Sequence, residues 1–161
     1  MNSEATTAER CEVTRDIAAT PETVFALVCQ PRGQVAIDST GMLQSAEGEP
    51  VTKVGDEFVV HMDRDALNDL PMGKYDVTVV ITEFEANRQL EWTIIGTIKP
   101  PIKHLYGYRL EPSQLGTLVT SYYDWSQIDQ RYREANIFPV IPEAALRASL
   151  GILARTVEQV G

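Results

Sequence analysis

Two histidines, one carboxylate and a set of strand-borne aromatics are the side chains whose types and spacing could do chemistry. His61 stands two residues before Asp63, and residues two apart on a strand share a face. An imidazole beside a carboxylate can act as an oriented general base. Phe58, Val60 and Met62 alternate onto the opposite face, however, and their claim on the core sends His61 and Asp63 to solvent. His104 follows Pro100, Pro101, Ile102 and Lys103 and shares a face with Tyr106, Tyr108 and Leu110. If that aromatic face is the inner one, His104 sits at the rim of a pocket. Asp124 lies between Tyr123 and Trp125. Buried, it would have a raised pKa and serve as an acid or base; on the outer face, which period two favours, it is solvated or caps a turn.

The aromatics say more as a set. Tyr75, Trp92, Tyr106, Tyr108, Tyr123 and Trp125 all fall on expected strands. Tyrosine and tryptophan combine an apolar body with one hydrogen-bonding tip, which suits a greasy pocket with few polar contacts. The plain alternative is that they fill a solid core. The expected lining comprises these six with Val77 and Val79, together with Leu146 and Leu150 from a terminal helix. The catalytic candidates are His61, His104 and Asp124. No phosphate loop, dinucleotide fingerprint, zinc-protease motif or nucleophile elbow is present. Cys11 and Cys29 have no C-x-x-C spacing, and two histidines on separate strands do not make a metal site, so neither metal nor cofactor is expected.

The elements that must position these groups follow from periodicity. Strands are expected over 11–17, 41–46, 57–63, 75–84, 89–95, 104–111 and 117–125, each alternating apolar and polar residues. Thr20, Pro21 and Glu22 form a helix start, and Pro31 is expected to end that helix, with a second short one over 34–37. The loop 64–73 carries Leu67, Leu70 and Met72 and is expected to act as a lid. Beyond Pro142, Leu146, Leu150, Leu153, Val157 and Val160 recur at spacings of four and three, an apolar helical stripe. Ala144, Ala148 and Gly151 make a row of small residues, which would either leave room for a ligand or let the helix approach the sheet closely. The sum is an α+β helix-grip domain. A curved, mostly antiparallel sheet of six or seven strands wraps a long C-terminal helix, with two short helices after the first strand.

The chain has 161 residues and a formal net charge of −9, with no basic run. That balance repels phosphate backbones and anionic membrane faces, so nucleic acid is not an expected partner. No stretch of about 18 apolar residues exists to span a bilayer, so stable membrane insertion is not expected either. Residues 1–10 are polar and acidic without an apolar segment and are expected to form a flexible tail, leaving 11–161 as one domain. A cytoplasmic monomer or homodimer is the expectation.

Several segments carry a family resemblance. Ala18-Ala19-Thr20-Pro21-Glu22-Thr23-Val24-Phe25 resembles the strand-to-helix entry of the START/polyketide-cyclase-like superfamily (SRPBCC), and Val54-Gly55-Asp56-Glu57-Phe58 is similar to a later strand start. Arg88-Gln89-Leu90-Glu91-Trp92, Gly116-Thr117-Leu118-Val119-Thr120 and Tyr123-Asp124-Trp125-Ser126 fit as well, so the likeness spans residues 11–160. It is greatest to members of the polyketide cyclase/dehydrase and lipid transport type. The chain departs from the pattern after Pro31, where Val35-Ala36-Ile37 stands in place of a common tryptophan. The resemblance implies a pocket for a small hydrophobic ligand such as a lipid, polyketide or isoprenoid-like compound, for transport or sensing. It leaves open a cyclase or dehydratase using the same pocket, and a protein-interaction module.

Overall fold

A computed structural model describes residues 9–158. Strand β1 (Arg10–Ile17) leads into helices α1 (Pro21–Val28) and α2 (Pro31–Ala36). Strands β2 (Leu43–Glu47) and β3 (Glu57–Asp63) follow, then a 3₁₀ turn (Arg64–Leu67) and strands β4 (Lys74–Glu85), β5 (Gln89–Ile95), β6 (Leu105–Pro112) and β7 (Thr117–Asp124). A short helix α3 (Gln130–Glu134) precedes the long helix α4 (Glu143–Glu158). The stripe residue Val160 lies outside the described residues, as do residues 1–8 of the expected tail. Glu9 and Arg10 are held: Arg10 begins β1, and Glu9 accepts two hydrogen bonds from Arg133, at 2.7 and 3.0 Å.

All seven strands form one antiparallel sheet in the order β1-β7-β6-β5-β4-β3-β2. Hairpin neighbours pair in sequence, and the first strand crosses to pair with the last. Helices α1 and α2 carry the chain from one sheet edge to the other. Their joint differs from the expected one, because Pro31 does not end a helix but opens α2 at its first turn. Proline fits there, since its missing N–H would have no partner in that turn. Gly33 lets α2 fold back on α1: a Cβ at Gly33 would lie 2.0 Å from the Leu27 carbonyl oxygen. Buried Gln34 donates to the Val28 carbonyl at 2.8 Å and so satisfies one of the unpaired acceptors at the α1 terminus.

One face of the sheet is apolar. Phe58, Val60 and Met62 oppose Val79, Val77 and Tyr75 across β3 and β4. An aromatic row runs on through the register: Trp92 faces Tyr106, and Tyr106 faces Tyr123. Helix α4 packs mainly on β1 and β7, where Leu150, Leu153, Ala154 and Val157 are buried. The small residues Ala144 and Ala148 are exposed, and a Cβ on Gly151 would meet only Arg15 Nη1, at 3.8 Å. Ala144 and Ala148 therefore do neither of the two jobs expected of the row, and half-buried Gly151 lies beside the Arg15 side chain of β1 without a close approach.

The outer face has its own organisation. Tyr122 lies opposite Gly107 in the β6–β7 register, and its ring crosses that glycine so that its hydroxyl donates to Glu91 on β5 at 2.9 Å. Arg10 and Arg109 sit over the ring at 4.1 and 5.3 Å, and Glu12 joins both guanidinium groups. A Cβ at Gly107 would fall 2.3 Å from Tyr122 Cζ. Gly107→Ala is therefore expected to destabilise the chain by about 1–3 kcal/mol, the usual cost of overpacking, read as a lower urea midpoint at unchanged slope.

Candidate functional site

The apolar face of the sheet is incompletely covered, and two lobes of empty space remain against it. The smaller, about 130 Å³, lies between β3–β6, α2 and the first turns of α4. Phe58, Val79, Trp92, Tyr108, Ile37 and Leu146 line it. The larger, about 250 Å³, is lined by Tyr75 and His104, by Leu70 and Met72, and by the loops through Ile98 and Phe138. Met42, Met62, Val77, Ile94, Tyr106 and Ile141 border both lobes and form the wall between them.

Asp38, Ser39, Thr40 and Ser149, which border the smaller lobe, serve the fold. Asp38 accepts from the Thr40, Gly41 and Leu43 amides and from the Thr40 hydroxyl. Ser39 donates to the Ala145 carbonyl at 2.8 Å and receives the Ser149 hydroxyl at 3.2 Å, tying the α2–β2 connection to α4.

The larger lobe is different. His104 is 2% exposed, and its Nδ1 lies 2.6 Å from the Tyr123 hydroxyl. Its Nε2 is buried and has no hydrogen-bond partner among the described residues. Burial lowers the His104 pKa from 6.5 to about 4, so the ring is neutral at ordinary pH. Arg64, 6% exposed, forms a fork on Asp69 at 2.9 and 2.6 Å, and its Nη1 meets the Met42 sulfur at 3.4 Å. Asn68, at φ 53°, ends the 3₁₀ turn and swings Asp69 back toward Arg64. Burial raises the pKa of the Tyr106, Tyr108 and Tyr123 hydroxyls, which keeps them protonated.

The expected lining is brought together only in part. Tyr75, Val77, Val79, Trp92, Tyr106, Tyr108 and Leu146 border one lobe or both. Tyr123, Trp125 and Leu150 border neither. Tyr123 stands behind His104, with Trp125 packed on it at 5.5 Å, and Leu150 is buried in the helix face that packs on the β1–β7 side of the sheet. Of the expected lid, Leu70 and Met72 border the larger lobe, while half-buried Leu67 packs against the core. His104 is an interior wall rather than a rim.

The other two chemical candidates lie on the outer face. Asp124 accepts from Arg10 at 2.8 Å and caps Ser126, and these contacts lower its pKa against the opposing effect of burial. His61 does not pair with Asp63, which caps the 3₁₀ turn. Its ring bridges Asp76, directly opposite on β4 at 2.7 Å, and Glu47 on β2. Both thiols are free, and burial pushes Cys29 up to about 11. Among the described residues no group of three or more His, Cys, Asp or Glu side chains is placed to hold a metal ion. None of the described helices is long and apolar enough to cross a membrane.

Sequence reasoning did not single out Arg64, Ile141 or Phe138 as lining. A lone arginine after a strand has no periodic signal, and 126–141 has too little alternation to show which residues turn inward. The one usable hint was the apolar cluster Ile137, Phe138, Val140 and Ile141 in a segment otherwise rich in charge.

Residues 8–158 match the family model described as polyketide cyclase / dehydrase and lipid transport. The chain belongs to this family. Its sequence identity to solved structures of the same fold is low. A protein from Rhodobacter sphaeroides is 19% identical, with a TM-score of 0.67 and coverage of 96% of this chain and 95% of that one. A protein from Chromobacterium violaceum is 17% identical, with a TM-score of 0.66 and coverage of 93% and 97%. An AHSA1-like protein from Aeromonas hydrophila is 18% identical, with a TM-score of 0.59 and coverage of 94% of each chain. Identities of this order establish the fold alone. No curated protein matches the sequence.

The two histidines of this family member are expected to titrate in opposite directions. The Asp76 and then the Glu47 carboxylate raise the His61 pKa above 6.5. The stabilisation from that bridge is full below the unfolded value and is lost as pH rises through the folded one. NMR titration should show the raised value, and Asp76→Asn should lower it and destabilise more at about pH 5.5 than at about pH 9. For His104 the folded value is depressed, so stability is present above pH 6.5 and lost as pH falls toward about 4. The loss amounts to roughly 3 kcal/mol. Urea midpoints across that range should show it, and a foldable His104→Phe variant should lose that part of the slope.

Proposed function

We propose that this chain binds a small hydrophobic molecule in the two-lobed space on the inner face of the sheet, for transport or sensing. The carrying observation is a large apolar lobe with an apolar mouth. Met72, Ile98 and Ile137 border the larger lobe and are 36%, 40% and 46% exposed. Large apolar side chains held at a surface around a cavity favour entry of an apolar molecule and mark binding sites generally. An apolar cavity of about 150 Å³ takes up benzene, so the larger lobe alone accommodates a bigger guest. The family description, which couples cyclisation with lipid transport, supports a ligand of this kind.

Catalysis in the same space would rest on few groups. Of the three candidates for proton transfer, only His104 borders a lobe; His61 and Asp124 are on the other side of the sheet. A turnover assay on any ligand found would separate binding from reaction.

The first test is native mass spectrometry of the freshly purified chain, where a discrete adduct is the expected result. The second is titration with tetralin, followed by the fluorescence of Trp92, which borders the smaller lobe. Val77 belongs to the wall between the lobes. Val77→Phe should fill that wall and weaken tetralin binding about tenfold or more, the equivalent of about 1.4 kcal/mol. Unchanged affinity in a folded Val77→Phe variant would place the ligand elsewhere.

A further inference from the structure

A buried imidazole nitrogen without a partner is costly, and His104, which carries one, belongs to the wall of the larger lobe. His104 is 2% exposed, Nε2 has no hydrogen-bond partner among the described residues, and the ring borders the cavity. Its tautomer follows from its other nitrogen. Nδ1 lies 2.6 Å from the Tyr123 hydroxyl. A phenol is the stronger acid of the two groups and a neutral imidazole nitrogen the stronger base, so Tyr123 donates and Nδ1 accepts. The imidazole proton then sits on Nε2, which is left as a donor with nothing to receive it. Donors of this kind are normally satisfied in native proteins, by protein, water or ligand.

The charge balance narrows what the acceptor is. Arg64 is the one cationic residue bordering the larger lobe among the described residues, and the bidentate contact with Asp69 neutralises it. No carboxylate borders this lobe among them either. A ligand carboxylate would give up its hydration with no unpaired cation to meet it, whereas a neutral carbonyl pays far less on entry. The remaining polar groups at this wall, the Tyr75 and Tyr106 hydroxyls and the Arg64 guanidinium, are also able to donate.

We propose that the ligand of the larger lobe is an apolar molecule carrying a neutral carbonyl oxygen, a ketone, aldehyde or ester, and that His104 selects it by donating from Nε2. Tyr123 is a positioning residue: it holds the tautomer and does not touch the ligand. The assignment rests on the binding function proposed above, and the test keeps the two apart.

The test uses the full chain and three probes of similar size: tetralin, 1-tetralone and 1-naphthoate. In wild-type protein with ¹⁵N-labelled histidine, 1-tetralone should move the His104 Nε2 resonance and its proton, and tetralin should not. His104→Phe should weaken 1-tetralone about tenfold, the worth of one good buried hydrogen bond, while tetralin affinity stays within about threefold. Tetralin binding with no Nε2 response to 1-tetralone overturns the role of His104 and leaves the hydrophobic pocket standing. Tighter binding of 1-naphthoate than of 1-tetralone overturns the neutral carbonyl. Failure of every probe to bind removes the pocket reading and this inference with it. Should His104→Phe not fold, the wild-type resonances decide alone.

Discussion

A helix with its side chains is about 10 Å wide, whereas seven strands set about 4.8 Å apart span nearly three times that. Helix α4 therefore covers only part of the sheet, and it packs on β1 and β7, the pair that joins the two ends of the chain. The apolar face of β3 to β6 has to be covered by whatever else the chain supplies. What it supplies is α2, the loop through Met72 and the segments through Ile98 and Phe138. Connecting segments cannot match a curved sheet side chain for side chain. The empty space that remains follows directly from the width of the helix.

Where polar groups border that space, the fold accounts for most of them. Asp38, Ser39 and Ser149 pair among themselves and with backbone, and Arg64 is closed by Asp69. His104 is paired on one side only, and its Nε2 is a fully buried atom without a partner. The outer face carries the opposite chemistry. There His61 bridges two carboxylates, and Tyr122 lies across Gly107 beneath two arginines. The outer face thus stabilises charge on His61, whereas burial on the inner side keeps His104 neutral.

The strands, their inward faces and the terminal helix were legible because alternation and the 3.6-residue stripe are local. The inward placement of Phe58, Val60 and Met62 and the outward placement of His61 follow from period two alone. Depth was not legible. Tyr106 and Tyr123 face each other in register, yet one borders the cavity and the other stands behind His104. Leu146 and Leu150 share a helical stripe one turn apart, and only the first reaches past the covered half of the sheet. The outward turn of Ala144 and Ala148 was not legible either, because composition does not say which way a row of small residues faces.

The sequence by itself determined the α+β fold, the face of the sheet taken by the alternating strand residues, and the acidic balance of the whole. These depend on the order of residues along a few turns or a single strand. Only the tertiary structure decided which inward residues meet empty space, that Arg64 is buried against Asp69, and that Tyr123 engages one nitrogen of His104 while the other is buried without a partner. A cavity is contact not made between surfaces, and a missing hydrogen bond is known only once every neighbour is in place. Both are properties of segments far apart in the chain, which no local pattern records.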